Sequence, residues 1–326
     1  MNSLSAISKD GFAHSIFAAK THIPFAIIVR IILLFIGLLC LVSPVSAQID
    51  RLQTKIEQVV NSKKATVGVG IYDVGSQQTL TINGNKHMPM QSVYKFHVAL
   101  AVLREVDKGR FRITQKMRVK KSDLVPGLHS PMGEAYPNGE VDLPLADIIR
   151  YMVADSDGSA CDYLFRLLGG PKQVDAFIHQ LGIQDVAIRH TEEMMQAKGN
   201  WDVQYTNWTT PKAMLDLLKL VYQRKVLSAS SHDFLWKVMV GTTTGQDRLK
   251  KLLPAGTVVA HKTGTSGTNK EGLTGAVNDA GYIVLPNGKA IAISVFVMNS
   301  TESMETNEQI IADIAKLAYD HFAKSN

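Results

Sequence analysis

Three short groups in this chain put a hydroxyl close to an amine or a carboxylate. The first is Ser92-Val93-Tyr94-Lys95. On a helix, residues three apart share a face, so the Lys95 amine reaches the Ser92 hydroxyl. A serine hydroxyl is a poor nucleophile at neutral pH and needs a base beside it. A lysine supplies that base only where burial or a second cation depresses its pKa. Taken alone, the pair equally describes a capping serine and a solvated lysine. The second group, Ser156-Asp157-Gly158, follows after about 60 residues, and the third, Lys262-Thr263-Gly264-Thr265, after about 105 more. A mid-chain carboxylate pair, Glu192-Glu193, adds candidates for a general base.

The elements around these groups decide whether they meet. Val93, Phe96, Leu100, Leu103 and Val106 recur at helical spacing and Gly109 ends the run, so Ser92 opens a buried helix. Ser156 falls in a short loop between two predicted helices. Lys262 falls on a predicted strand, where Gly264 leaves room for another backbone to approach. Upstream, Ile49 to Val60 reads as a helix, Val67, Val69 and Ile71 alternate as a strand, and Thr79–Ile82 returns as its hairpin partner. The polar stretch Lys120–Glu140, with three prolines, is expected to be rim loop. Helices follow from Asp142 and Pro144 towards Ala154, from Pro171 to Gly182, after Thr210-Pro211 and around Phe234–Val240, while Thr191–Trp208 lacks periodicity. Strands at Thr257–His261, Gly281–Leu285 and Ala290–Val297 precede a long final helix through Ile310, Ile314, Leu317 and Phe322. Strands at both ends with helices between imply an α+β architecture. One antiparallel sheet is flanked by helices (approximately 48–90 and 241–326), an all-helical lobe spans approximately 91–240, and the site lies in the crevice.

Composition fits an ordinary globular protein. The 326 residues are 45% hydrophobic and 20% charged, with a net charge of +6. Basic and acidic residues alternate without a basic, aromatic-interleaved run, which argues against a nucleic-acid partner. Lys9, Lys20 and Arg30 precede the apolar run Ile31–Val42, and Val45-Ser46-Ala47 forms a small-residue cleavage site. Residues 1–47 therefore read as a secretory signal, with an uncleaved anchor as the alternative. Cleavage leaves 32 basic against 28 acidic groups, a net +4, in an exported, periplasmic or secreted chain with no stable membrane association. The two cysteines are Cys40 in the leader and Cys161 in an apolar helical stretch, so the mature chain has one thiol and no internal disulfide. Histidines occur singly, without metal-ligand spacing, and neither metal nor organic cofactor is expected.

S-x-x-K, S-D-x and K-T-G in this order and spacing resemble the serine β-lactamase family, a likeness extending over residues 50–322. SVYKF, QYTNW and AHKTGTSG are most similar to the PER-like, extended-spectrum branch of class A. The resemblance implies a serine β-lactamase/penicillin-binding-protein-like fold, penicillin and cephalosporin substrates, resistance as the outcome, and a monomer. It makes Ser92 the nucleophile and Lys95 its neighbouring amine. Ser156 becomes the proton relay to the leaving nitrogen, and Lys262 the source of positive potential. Glu192 matches the deacylating base and Gln196 the residue that helps hold the water. Thr263, Thr265, Ser266 and Arg248 match substrate-binding positions, and the backbone N–H groups of Ser92 and Thr265 match the oxyanion hole. Whether Lys95 or Glu192 takes the first proton stays open.

The chain departs from the family at several positions. Gly158 replaces an asparagine and, with a long loop after Glu192, suggests a roomier cleft. Val277 stands where many members carry the carboxylate-binding arginine, for which Arg248 is the alternative. His190 and Asn207 replace an arginine–aspartate pair at the loop's neck, so that loop must be held otherwise. A penicillin-binding peptidase and a covalent β-lactam receptor are the other readings.

Overall fold

The computed structural model describes residues 44–324, with side chains from residue 48. The basic start, the apolar run Ile31–Val42 and Cys40 lie outside the described residues. The main sheet has five antiparallel strands in the order β2-β1-β10-β9-β8: β1 (Thr66–Asp73), β2 (Thr79–Ile82), β8 (Val259–Thr265), β9 (Thr274–Val284) and β10 (Ala290–Ser300). Its two faces follow from the period of two along each strand. Val67, Val69 and Ile71 of β1 and Ile291, Ile293, Val295 and Val297 of β10 pack with Leu52 and Ile56 of α1 (Pro44–Asn61) and Ile310, Ile314 and Phe322 of α10 (Met304–Lys324). Tyr282 of β9 and Phe296 of β10 face the other way and join the core of the central helices.

That core surrounds α2 (Tyr94–Asp107), whose residues 94–103 are all buried. Around it lie α4 (Leu145–Ala154), α5 (Gly158–Leu168), α6 (Pro171–Gln180), α8 (Pro211–Tyr222) and α9 (Ala229–Val240). A short α3 (Pro131–Ala135) breaks the expected rim loop, with Ser130 accepting from Gly133 N at its start. The middle of the chain is mostly helical, yet it holds ladders that periodicity did not reveal. β4 (Lys116–Val119) pairs with β5 (Val141–Pro144), so helix α4 begins only after Pro144, not at Asp142. β7 (Trp208–Thr209) joins β6 (Val186–Ala187) and β3 (Met88–Pro89). The segment without periodicity contains α7 (Glu192–Lys198), started by Thr191 as its N-cap. No residue of α7 is fully buried, which explains the missing apolar stripe. Among the described residues no helix is long and apolar enough to cross a membrane.

Candidate active site

Ser92 sits in a one-turn 3₁₀ helix, Gln91–Val93, that leads into α2. Gln91 adopts a left-handed φ of 47°, and Val93 and Tyr94 anchor the turn in the core. Lys95, one turn on, is 2% exposed. Its ammonium donates to Ser92 Oγ at 3.0 Å and to the Ser156 carbonyl at 2.7 Å, and lies 2.9 Å from Glu192 Oε1. Two of its donors are spent on hydrogen bonds, and the close Glu192 contact is an ion pair outside hydrogen-bond geometry. Burial pulls the Lys95 pKa down, but the Glu192 carboxylate together with the other acidic neighbours outweighs it, and the net shift is upward. Burial likewise opposes charge on Glu192, and the Lys95 ammonium reverses it, holding the carboxyl below its usual range. The resting pair is therefore lysine-charged and glutamate-ionised.

Glu192 reaches this position because α7 starts against α5. Asp162 of α5 accepts from Glu192 N at 2.8 Å and from Glu193 N at 2.7 Å, using both carboxylate oxygens. Burial raises its pKa to about 6, despite those two N–H groups. Sequence reading missed Asp162; its signal was a lone acid on the buried, Leu164- and Phe165-bearing side of a helix. Glu193, next in the chain, is exposed. Asn207 holds the neck of the loop, where its Oδ1 accepts from Arg189 N and His190 N and its amide donates to His190 O.

Ser156 has φ of 60°, unusual for a residue with a side chain. Asp157 fixes that turn: its buried carboxylate caps α5 through Ala160 N and accepts from Ser130 Oγ and Met132 N across the rim. Lys262 Nζ donates to Ser156 Oγ at 2.9 Å and to Thr263 O at 2.9 Å. Burial drives its pKa well below the ordinary lysine value, and the Lys95 charge acts in the same direction.

β8 forms the free edge of the sheet. Ser266 N donates to Ala276 O, so by the alternation of an antiparallel ladder Thr265 turns its N–H away from β9. A Cβ on Gly264 would lie 2.5 Å from Met90 O and 3.1 Å from Ser92 N. The missing side chain lets the strand reach the nucleophile's backbone.

Arg248 is 5% exposed, not a surface charge. Its guanidinium donates to Glu308 at 3.2 Å, to Gly264 O at 3.2 Å, to Asn278 O at 2.9 Å and to Thr265 Oγ1 at 2.7 Å. Four of five N–H donors are engaged, which leaves one for a ligand. Val277 is buried in the core instead. Thr263 Oγ1 and Thr244 Oγ1 lie 2.6 Å apart beside it.

A cleft of about 340 Å³ joins Ser92, Lys95, Ser156, Glu192, Arg248, Thr263 and Thr265. Gln196 and Ser266 do not line it. The Ser266 hydroxyl donates to Gly267 O and accepts from Ala276 N, and the exposed Gln196 amide packs against Gly127 of the rim. His129 and Leu128 do line the cleft. Gly158 lines it too, and a Cβ there would meet Leu128 at 3.2 Å and His129 O at 3.3 Å, so the glycine lets the rim loop approach.

A nucleophile–lysine–carboxylate group built on a buried lysine, a second serine–lysine pair and an edge strand offering an N–H define a serine acyl-transferring hydrolase. The sequence model of the β-lactamase enzyme family matches residues 51–322, and the chain belongs to that family. β-Lactamase VEB-1 of Pseudomonas aeruginosa is 46% identical over 298 residues, 91% of this chain and 98% of the relative. The extended-spectrum β-lactamase PER-1 of the same organism is 45% identical over 274 residues, 84% and 88% of the two chains. The crystal structure of the TLA-3 extended-spectrum β-lactamase superposes with a TM-score of 0.82 at 49% identity, covering 84% of this chain and 99% of that one. The chain is a serine β-lactamase of class A, in the branch of these relatives, and its activity is hydrolysis of the β-lactam amide.

Proposed function

We propose that Ser92 opens penicillins and cephalosporins as an acyl-enzyme and that Glu192 activates the water that releases it. The observation that carries this reading is the continuous contact from Glu192 through Lys95 to Ser92, no link longer than 3.0 Å. With Lys95 charged, Glu192 is the group in the resting site able to take a proton. Attack forms the bond from Ser92 Oγ to the lactam carbonyl carbon, and the Oγ proton passes to Glu192. Negative charge then grows on the carbonyl oxygen, which the N–H groups of Ser92 and Thr265 are placed to receive. The C–N bond breaks as Ser156, held by Lys262, delivers its proton to nitrogen; the proton taken up by Glu192 replaces it on Ser156, which leaves Glu192 ionised to accept a proton from the water. Purified protein mixed with excess chromogenic cephalosporin is expected to turn over many equivalents. A stop after one equivalent would point to a penicillin-binding peptidase or a receptor.

Arg248 supplies its remaining N–H to the substrate carboxylate, beside Thr263 and Thr265. Losing one charge-assisted hydrogen bond is worth about 1.5–3 kcal/mol, or roughly 10- to 150-fold in kcat/KM. Arg248→Ala should lose activity in that range, and also some thermal stability, because it removes the guanidinium that ties Gly264 O, Asn278 O, Thr265 Oγ1 and Glu308 together. A variant with a lowered Tm but kinetics within about twofold of wild type would remove Arg248 from substrate binding.

Gln196 and Ser266 act from behind the cleft wall, Gln196 through the rim at Gly127 and Ser266 by holding β8. The enzyme works as an exported monomer, cleaved near Ala47. Mass spectrometry of the mature protein should find it starting near Gln48, and Met1 retained on a membrane-bound form would contradict this.

A further inference from the structure

Behind Lys262, on the opposite face of β8, lies a second pair of titratable groups that the mechanism does not use. His261 Nδ1 is 2.8 Å from Asp279 Oδ1 and 2.9 Å from Oδ2, and both side chains are fully buried. Asp279 faces Thr263 in the β8–β9 ladder, so it shares a sheet face with His261, two residues along, and Lys262 points the other way. Leu249 N donates to Asp279, and Thr242 Oγ1 donates to His261 O, closing the region from above. His261 Nε2 is buried with no hydrogen-bond partner.

Donor accounting assigns the charges. A doubly protonated His261 would carry a buried N–H with no acceptor, among the cations Lys262, Arg248 and Lys250. His261 is therefore neutral, donating from Nδ1 to an ionised Asp279, and the pair as a whole carries one negative charge. Among the described residues no carboxylate makes a direct ion pair with Lys262, although Lys262 is fully buried. A buried ammonium without a nearby anion is costly and tends to lose its proton.

We propose that the His261–Asp279 pair is a positioning unit that keeps Lys262 charged, His261 holding Asp279 as an anion on the sheet face opposite the Lys262 side chain. Burial and the Lys95 charge push Lys262 towards neutrality, and Asp279 heads the charges that oppose them, ahead of Glu192. Lys250, which donates to Thr242 O, is also supported by Asp279 against burial. Lys95 and Glu192 from the cleft, Arg248 and Lys250 from the segment after α9, and Glu308 from α10 complete the charged surroundings. The proposal rests on the assignment of Lys262 to the site.

The pH dependence of kcat/KM for benzylpenicillin tests it. A charged Lys262 gives an alkaline limb where it loses its proton, and removing a stabilising anion moves that limb to lower pH. In Asp279→Asn the limb should fall by roughly one pH unit, the scale of one unit charge at this depth. Activity near pH 6 should stay within about threefold of wild type, and the acid limb should not move. His261→Gln, which retains a donor, should hold the wild-type limb. His261→Phe, which leaves Asp279 without one, should shift it as Asp279→Asn does, and carries the test if Asp279→Asn does not fold. Lys262→Arg separates the two readings, because a guanidinium does not titrate in this range. An alkaline limb that persists in Lys262→Arg belongs to another group and overturns the role of Lys262 itself. A limb that vanishes there but stays put in Asp279→Asn and His261→Phe, with activity lowered equally at all pH, makes the pair structural only.

Discussion

Glu192→Ala should convert steady turnover into a single burst followed by a stall, with intact mass showing one substrate adduct on Ser92. Acylation and release make different demands. Acylation needs a nucleophile already in contact with Lys95 at 3.0 Å. Release needs a water and a base beside the ester, and the Glu192 carboxylate, held ionised by the Lys95 ammonium, is the proposed base. Loss of a general base costs roughly 10²–10⁴-fold, so release should lag acylation visibly in stopped flow. The substitution also breaks a buried ion pair, which typically costs about 3–5 kcal/mol in stability. Glu192→Gln is the companion variant, since it keeps the side-chain volume and an oxygen for Lys95, and it should stall in the same way. In Glu192→Ala the lysine loses the charge that held its pKa up and becomes able to accept the serine proton. A fast burst would show Lys95 acting as acylation base in that variant, and a slowed burst would assign both steps to Glu192. Glu193→Ala should turn over normally, its side chain being exposed. Stalling by Glu193→Ala with normal turnover by Glu192→Ala would move the base by one residue.

Much of this arrangement was legible in the chain because it is local. The hairpin partner Thr79–Ile82 is found with those bounds, and the Ser92–Lys95 contact follows from helical spacing. What periodicity could not give are features made by a few residues or by register. The β4–β5 ladder was hidden because Pro144 reads as a helix starter while also ending a strand. Helix α7 shows no stripe because no residue in it is fully buried. Asp162 and Asp279 act on groups brought to them by packing, 30 residues away to Glu192 N and 18 to His261, and neither pairing has a one-dimensional signature. Gly158 shows the limit most plainly: a small residue in sequence is equally an opening or a place for a neighbour, and here Leu128 occupies it. Arg248 was readable as a basic residue in the right segment, but its four protein partners depend on strand register.

Gly264 illustrates how register becomes catalysis, and Gly264→Ala should cost roughly 10²–10³-fold in kcat/KM, the effect of losing an oxyanion donor. The added Cβ would sit 2.5 Å from Met90 O, closer than real carbon atoms approach a carbonyl. That carbonyl cannot turn aside freely, because it accepts from Val93 N at 3.1 Å and from Asn278 Nδ2 at 3.1 Å. Either β8 or the Ser92 turn must therefore retreat. The two N–H groups proposed as oxyanion donors ride on these backbones, Thr265 N–H on the strand and Ser92 N–H on the turn, so their spacing opens. Hydrogen bonds to a developing oxyanion weaken steeply with such misplacement, whereas ground-state binding through Arg248 and Thr263 is less affected. The loss should fall mainly on kcat. Gly267→Ala is the control, since its Cβ would meet nothing within 4 Å, and it should stay within about twofold of wild type. A Gly264→Ala enzyme with native stability and kcat/KM within about tenfold of wild type would show that the two backbones do not act together on the substrate carbonyl.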